Sequence, residues 1–206
     1  MQKLRNLVKH LKDTDCKDDI VLKLQEINKT ILSKYILNSE GKKIIPLEVE
    51  AYYHRPKKFA DPYVHRNELQ KNRPCQLYFH RAGYSKDTQL KYGKIHGVDI
   101  CLSDSDAFYL SILLRSAKID NNIIIGPEKI AQQIATKENY KQIEKQELTL
   151  ENNEEENKYS LFNCIRKGLN PNIEKREEFF KMPLRSIILL PDFFIDITVK
   201  MKKENN

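Results

Sequence analysis

Apolar residues recur near helical spacing in DDIVLKLQEINKTILSKYIL (18–37). Ile20, Leu22, Leu24, Ile27, Ile31 and Leu32 predict a helix, with Asp18 or Asp19 available as its N-cap. SEGKK (39–43) has the composition of a turn. KIIPLEVEAYY then alternates, with Leu47, Val49, Ala51 and Tyr53 on one face and Glu48, Glu50 and Tyr52 on the other, as in a strand. QLYFH (76–80) and HGVDICLS (96–103) predict two further strands around a polar, glycine-containing loop, RAGYSKDTQLKYG. FYLSILLRSAKI (108–119) fits either a helix or a buried strand. GPEKIAQQIA (126–135) predicts a helix with Pro127 in its first turn. KQIEKQELTLENNEEENKYS (141–160) is poor in apolar residues and acidic, which predicts a mobile surface insertion. A short helix around EKREEFFKM, an apolar strand RSIILL and a charged tail at 200–206 complete the chain. Without repeats or a composition boundary, residues 1–206 are expected to form one α+β domain.

Composition narrows the class. With 206 residues, 40% hydrophobic and 32% charged, the chain can build a core. No apolar run approaches the roughly 20 residues needed to span a bilayer. The basic, amphipathic start MQKLRNLVKHLKDTD lacks the apolar region and cleavage site of a signal peptide. Cys16, Cys75, Cys101 and Cys164 are scattered with no CxxC pair, which argues against a zinc ribbon and fits a reducing compartment. An intracellular protein, cytoplasmic or associated with a nucleoid or nucleus, is therefore expected. The formal net charge is +7, and residues 51–100 hold ten Lys and Arg against four Asp and Glu. Such a segment attracts a polyanion through phosphate neutralisation, but it can equally serve as a solubilising surface.

The charged segment follows a group of residues able to do chemistry. Glu50 and Tyr52 share a strand face, Tyr78 and His80 share another, Asp99 lies on the third strand with Tyr92 in the loop before it, and Arg115 ends the run LSILL. Flat side chains beside a carboxylate suit a planar heterocycle, and a basic rim suits its phosphates, as in enzymes that act on a flipped base. Plainer readings remain open. Glu48 and Glu50 fit the solvent face of an edge strand, Tyr78 a core or rim position, Arg115 an ion pair with a buried carboxylate, and Cys101 a small core residue. His54, His65, His80 and His96 have no i, i+4 spacing and occupy different predicted elements, so no metal is expected. No serine sits in a G-x-S-x-G elbow.

Taken in order, LEVEAYY, DPYVHR, QLYFH, YGKIHGVDI, ILLRSAKI and GPEKI resemble the motifs of the alkyladenine (3-methyladenine) DNA glycosylase family. KMPLRSIIL is similar to that family's C-terminal K-P-x-R stretch, so the resemblance covers roughly residues 20–190. It implies a curved, mostly antiparallel sheet flanked by helices, like the C-terminal domain of formyltransferases. It also implies a monofunctional DNA glycosylase that flips a damaged or modified base from duplex DNA and hydrolyses its N-glycosidic bond.

By that resemblance, Glu50 would be the general base for water, and Arg115 would hold the water or a nearby phosphate. Tyr52, His65, Tyr78, His80 and Asp99 would form the base pocket, with Tyr92 the wedge that fills the gap in the stack. Arg55, Lys57, Lys58 and Arg66, then Arg81, Lys91 and Lys94, would meet the DNA backbone. No cofactor is implied, no lysine is placed for a Schiff base, and the protein is expected to act as a monomer on double-stranded DNA. His80 stands where the family has a second stacking tyrosine, and Asp99 where some members have a discriminating asparagine. Both departures bear on which base is removed, and an inserted loop at 81–91 bears on the DNA-facing rim. Two rival functions follow from the same residues: a non-catalytic nucleic-acid-binding module of the same fold, and an N-glycosidase acting on RNA or free nucleotides.

Overall fold

A computed structural model describes residues 2–81, 95–136, 138–153, 160–173 and 176–189, the side chains of Arg81 and Arg176 excepted. Helix α1 (Gln2–Lys12) turns its leucines, Leu4, Leu7 and Leu11, onto α2 (Lys17–Lys34), whose Ile20, Leu24, Ile27 and Ile31 are buried in turn. The chain leaves α2 at Lys34, where Tyr35 is already extended (φ −128°, ψ 139°). The predicted helix is thus shorter at its C-terminal end than its apolar spacing indicates. The residues Tyr35–Ser39 form strand β1 and pair with β2 (Lys42–Arg55) across a two-residue turn. Glu40 and Gly41 both have positive φ (49° and 74°), the conformation that matches the twist of a tight hairpin.

β2 organises the sheet. β6 (Tyr109–Ile119) pairs with it from Ile44 to His54, which resolves the ambiguous run 108–119 as a strand. The other edge of β2 is shared by β1, by β10 (Arg185–Leu189) near Glu48–Glu50, and by the short β3 (Phe59–Ala60) at its end. Beyond β6 lie β5 (Ile95–Cys101) and β4 (Gln76–Arg81), while β7 (Asn122–Ile125) returns along β6. All these pairings are antiparallel, and ten strands among the described residues form one curled sheet. The fold is α+β in a single domain, as expected.

Two irregularities interrupt the β2–β6 ladder. The pairs run Pro46–Ala117, Glu48–Ser116, Val49–Leu114, so Leu47 on one strand and Arg115 on the other each stand as one extra residue. Bulges of this kind re-aim a side chain and sharpen the local twist.

The segment 141–160 departs from its expectation. Tyr140 and Ile143 of α4 (Tyr140–Ile143) and Leu148 enter the core, and the Phe79 amide donates to the buried Glu144 carboxylate at 2.9 Å. β8 (Thr149–Asn152) then pairs with β1 from Tyr35–Asn152 to Asn38–Thr149. The described part of this segment is therefore a sheet edge, and its polar composition reflects the exposed side of that edge. Residues 154–159 and the tail 200–206 lie outside the described residues. β9 (Ser160–Cys164) pairs with β10, and the short α5 (Arg176–Phe180) precedes it.

The core lies on one face of the sheet. Val49, Ala51 and Tyr53 of β2, Ile112 and Leu114 of β6, Val98 and Ile100 of β5, and Leu77 and Phe79 of β4 join one apolar cluster with α1, α2 and α3 (Pro127–Ile134). The alternate residues of the same strands point to the opposite face.

Candidate functional site

That opposite face carries the candidate chemistry. Arg185, Glu50, Leu113, Asp99 and Tyr78 are successive cross-strand partners on β10, β2, β6, β5 and β4. Directly opposed residues of antiparallel strands share a face, so these five form one row. Two positions along on one side come Tyr52 and Ser111, and two positions along on the other come Gly97 and His80. Sequence distances of up to 135 residues thereby collapse into a strip across the sheet.

Glu50 has no exposed surface. Its Oε2 accepts from the Tyr52 hydroxyl at 3.0 Å and from Arg115 Nη1 at 3.3 Å, and its Oε1 accepts from the Lys167 amide at 2.8 Å. Glu48 is buried as well, accepting from Arg185 Nε at 2.5 Å and Ser116 Oγ at 2.7 Å. Arg115, projecting from the bulge, lies 3.4 Å from Glu48 and so bridges both carboxylates. The edge-strand reading of the two glutamates is therefore overturned, because β2 is central and covered on both faces. The plain reading of Arg115 holds in a stronger form: it pairs with two buried carboxylates at once. Burial drives the Tyr52 phenol well above its usual range, helped by the neighbouring Glu50 charge.

A second cluster lies along the row. His80 Nε2 is 2.7 Å from Asp99 Oδ1, while Asp99 Oδ2 accepts from Ser111 at 2.6 Å and Gln70 at 3.3 Å. Burial opposes ionisation of Asp99, but the His80 charge and the hydrogen bonds from His80 and Ser111 outweigh it and hold the carboxyl below its ordinary value. The His65 ring centroid lies 4.6 Å from that of His80, with Tyr78 edge-on to His65 at 6.3 Å. Burial, then the His80 charge, lowers the His65 pKa to about 4. Gly97 stands directly across from His80, and a Cβ there would lie 3.6 Å from the His80 ring and 3.2 Å from Leu113. The missing side chain leaves the imidazole its place.

These groups border a cleft of about 580 Å³ lined by Tyr52, His65, His80, Asp99 and Arg115, with Arg66 and Lys167 among the cations of its wall. Tyr52 is backed by Arg166, whose guanidinium lies 4.7 Å from its ring centroid. Arg166 is itself buried in a two-point pair with Asp61, at 2.7 and 3.2 Å.

Several predicted roles change position. Tyr78 is buried and does not line the cleft; it packs behind His65 and His80. Arg55 donates to the carbonyls of Lys12 and Thr14 and to Asp15, and Lys58 also pairs with Asp15. Arg55 on β2 and Lys58 in the turn after it are thus paired at the α1–α2 joint, away from the cleft lining. Lys57 is exposed at a positive-φ turn, away from the cleft lining. Tyr92, Lys91 and Lys94 lie outside the described residues, as does the side chain of Arg81.

Asp61, Arg166, Lys167, Gln70 and Arg185 were not found from sequence as parts of this region. Their partners are 29 to 137 residues away, and no local pattern marks them. Among the described residues, no group of three or more His, Cys, Asp and Glu is placed to hold a metal, and no helix is long and apolar enough to cross a membrane. Neither the protein-family models nor the curated proteins compared with the chain match it.

Proposed function

We propose that this cleft receives a modified base flipped from duplex DNA and that Glu50 activates the water that hydrolyses its N-glycosidic bond. The finer fold would then be that of the alkyladenine DNA glycosylases, a likeness resting on the ordered motifs quoted above. The observation that carries the reading is Glu50: a carboxylate with no exposed surface, oriented by three donors, directly beneath cleft residues Tyr52, Arg115 and Lys167. Arg115 Nη1 donates to both Glu50 and the Lys167 carbonyl, at 3.3 and 3.2 Å. One cation thus ties the carboxylate to the backbone of the Lys167 wall.

In the reaction, water oxygen bonds to the anomeric carbon as the carbon–nitrogen bond breaks, and the water proton passes to Glu50. General-base catalysis of this kind contributes about 10²–10⁴ in rate. The Glu50 charge also opposes the positive charge that develops on the sugar. Tyr52 and the two imidazoles offer flat surfaces, and stacking of a base on an aromatic ring is worth roughly 1–3 kcal/mol.

The test is mass spectrometry of bases released from alkylated, deaminated and hypermodified duplex DNA by the wild type and Glu50→Gln. A base released only by the wild type supports the reading. If neither protein releases a base while both bind duplex equally, a binding module replaces it.

A further inference from the structure

Resting on that reading, we infer that His80, oriented by Asp99, is the proton donor to the departing base, and that the site is built for a base that is neutral in DNA. A base already carrying a positive charge leaves as a neutral molecule and needs no proton. A neutral base leaves as an anion unless a ring nitrogen is protonated as the bond breaks, so its cleavage gains from an acid placed in the pocket.

The His80–Asp99 pair has the parts for this task. Asp99 is buried and hydrogen-bonded on both oxygens, with Nε2 of His80 on one and Ser111 and Gln70 on the other. An acceptor so held fixes the imidazole with a proton on Nε2 and leaves Nδ1 as the nitrogen not engaged by Asp99. The imidazolium form gives up its Nδ1 proton to the base, and the neutral ring remains bonded to Asp99 through Nε2–H. The electron pair of the glycosidic bond stays on the base, which accepts the proton and departs neutral. Water supplies the new bond to the sugar, and Glu50 takes the water proton.

Asp99 is the carboxylate bonded to this imidazole. The groups facing His80 are Asp99 on β5, His65 from the segment after β3, Tyr78 on its own strand, and Arg66, His96, Arg115 and Lys167 on the same cleft. The imidazoles of His65 and His80 are too close for both to be cationic at modest cost, and burial keeps His65 neutral near pH 7. A cationic base would meet the cations of this wall, Arg66, Arg115 and Lys167, whereas a neutral base meets a donor.

The test measures single-turnover release of hypoxanthine and uracil, which are neutral, from nitrite-deaminated duplex DNA, and of cationic N7-methylpurines from methylated duplex DNA. Wild type, His80→Gln and Asp99→Asn are compared across pH, with thermal midpoints as the control for folding. The wild type should release neutral bases at a rate that falls as pH rises through one ionisation. His80→Gln should erase that limb and lower neutral-base release by about 10²–10⁴, with less than about tenfold loss on any cationic base released. Asp99→Asn, a positioning change, should shift the limb rather than erase it. Release of cationic bases alone, or a limb that persists in His80→Gln, overturns the inference and leaves the role of Glu50 standing. An equal loss on both substrates with an unchanged midpoint also overturns it. If the wild type releases nothing, both readings fall together.

Discussion

Arg166 and Asp61 face each other through two hydrogen bonds, 2.7 and 3.2 Å long, with neither side chain exposed to solvent. The pair joins the segment that leads to His65 to the segment that presents the Lys167 amide to Glu50, and Arg166 also donates to the Ala51 carbonyl at 3.3 Å. It therefore fixes two walls of the cleft relative to β2. Removing one partner leaves an uncompensated charge in the interior, which costs about 3–5 kcal/mol. Asp61→Leu should lose stability on that scale in urea denaturation. The double variant Asp61→Leu with Arg166→Met should recover most of it, because apolar side chains of similar volume replace a buried pair at little cost.

His65 gives the protein an acid limb. Its pKa lies near 4 in the folded state, below the ordinary 6.5, so the unfolded chain binds the proton more readily. Stability from this residue is fully present above about pH 6.5 and is lost as pH falls toward 4, by up to about 3 kcal/mol. His65→Phe should flatten that part of the stability–pH curve in denaturation at fixed salt. A curve unchanged by the substitution would show that His65 titrates as it does in water.

The basic residues divide by place, and salt dependence reads the division. Arg66 is exposed on the cleft wall, whereas Arg55 is spent on two carbonyls and Asp15. For duplex binding, Arg66→Ala should reduce the slope of log K against log[salt] by about 0.9, the value of one lost phosphate contact. Arg55→Ala should leave the slope unchanged and lower the thermal midpoint instead.

Gly97 tests how tightly the histidine is seated. A Cβ added there lies 3.2 Å from Leu113 Cδ1 and 3.5 Å from Pro127 Cβ, so Gly97→Ala overpacks the strip and should cost about 1–3 kcal/mol. Gly97→Ala combined with Leu113→Ala should destabilise by less than the sum of the single changes, because the second makes room for the first.

The strands and helices of this fold were largely legible, because alternation along 44–53 and helical spacing in 18–34 follow directly from one-sided burial. The grouping of Glu50 with Tyr52 and of Tyr78 with His80 was legible for the same reason. What could not be read locally was the register that sets Asp99 and Glu50 on either side of Leu113 in one row. Nor could alternation show that β2 is covered on both faces, which turns Glu48 from a solvent-facing side chain into a partner of Arg185. β8 escaped notice because its pairing comes from β1, far away in sequence, while its side chains stay largely exposed.

The two extra residues of the β2–β6 ladder divide fold from chemistry. Leu47 and Arg115 sit on opposite strands and offset one another, so the ladder resumes its earlier step on either side of them. A chain lacking both would pair Pro46 with Ala117, Glu48 with Ser116 and Val49 with Leu114 without interruption, and would retain every other rung. It would lack one buried leucine and the cation that reaches both glutamates. The protein thus holds the link between its two buried carboxylates in a detachable stitch of an otherwise regular weave: the stitch can be altered while the cloth stays whole.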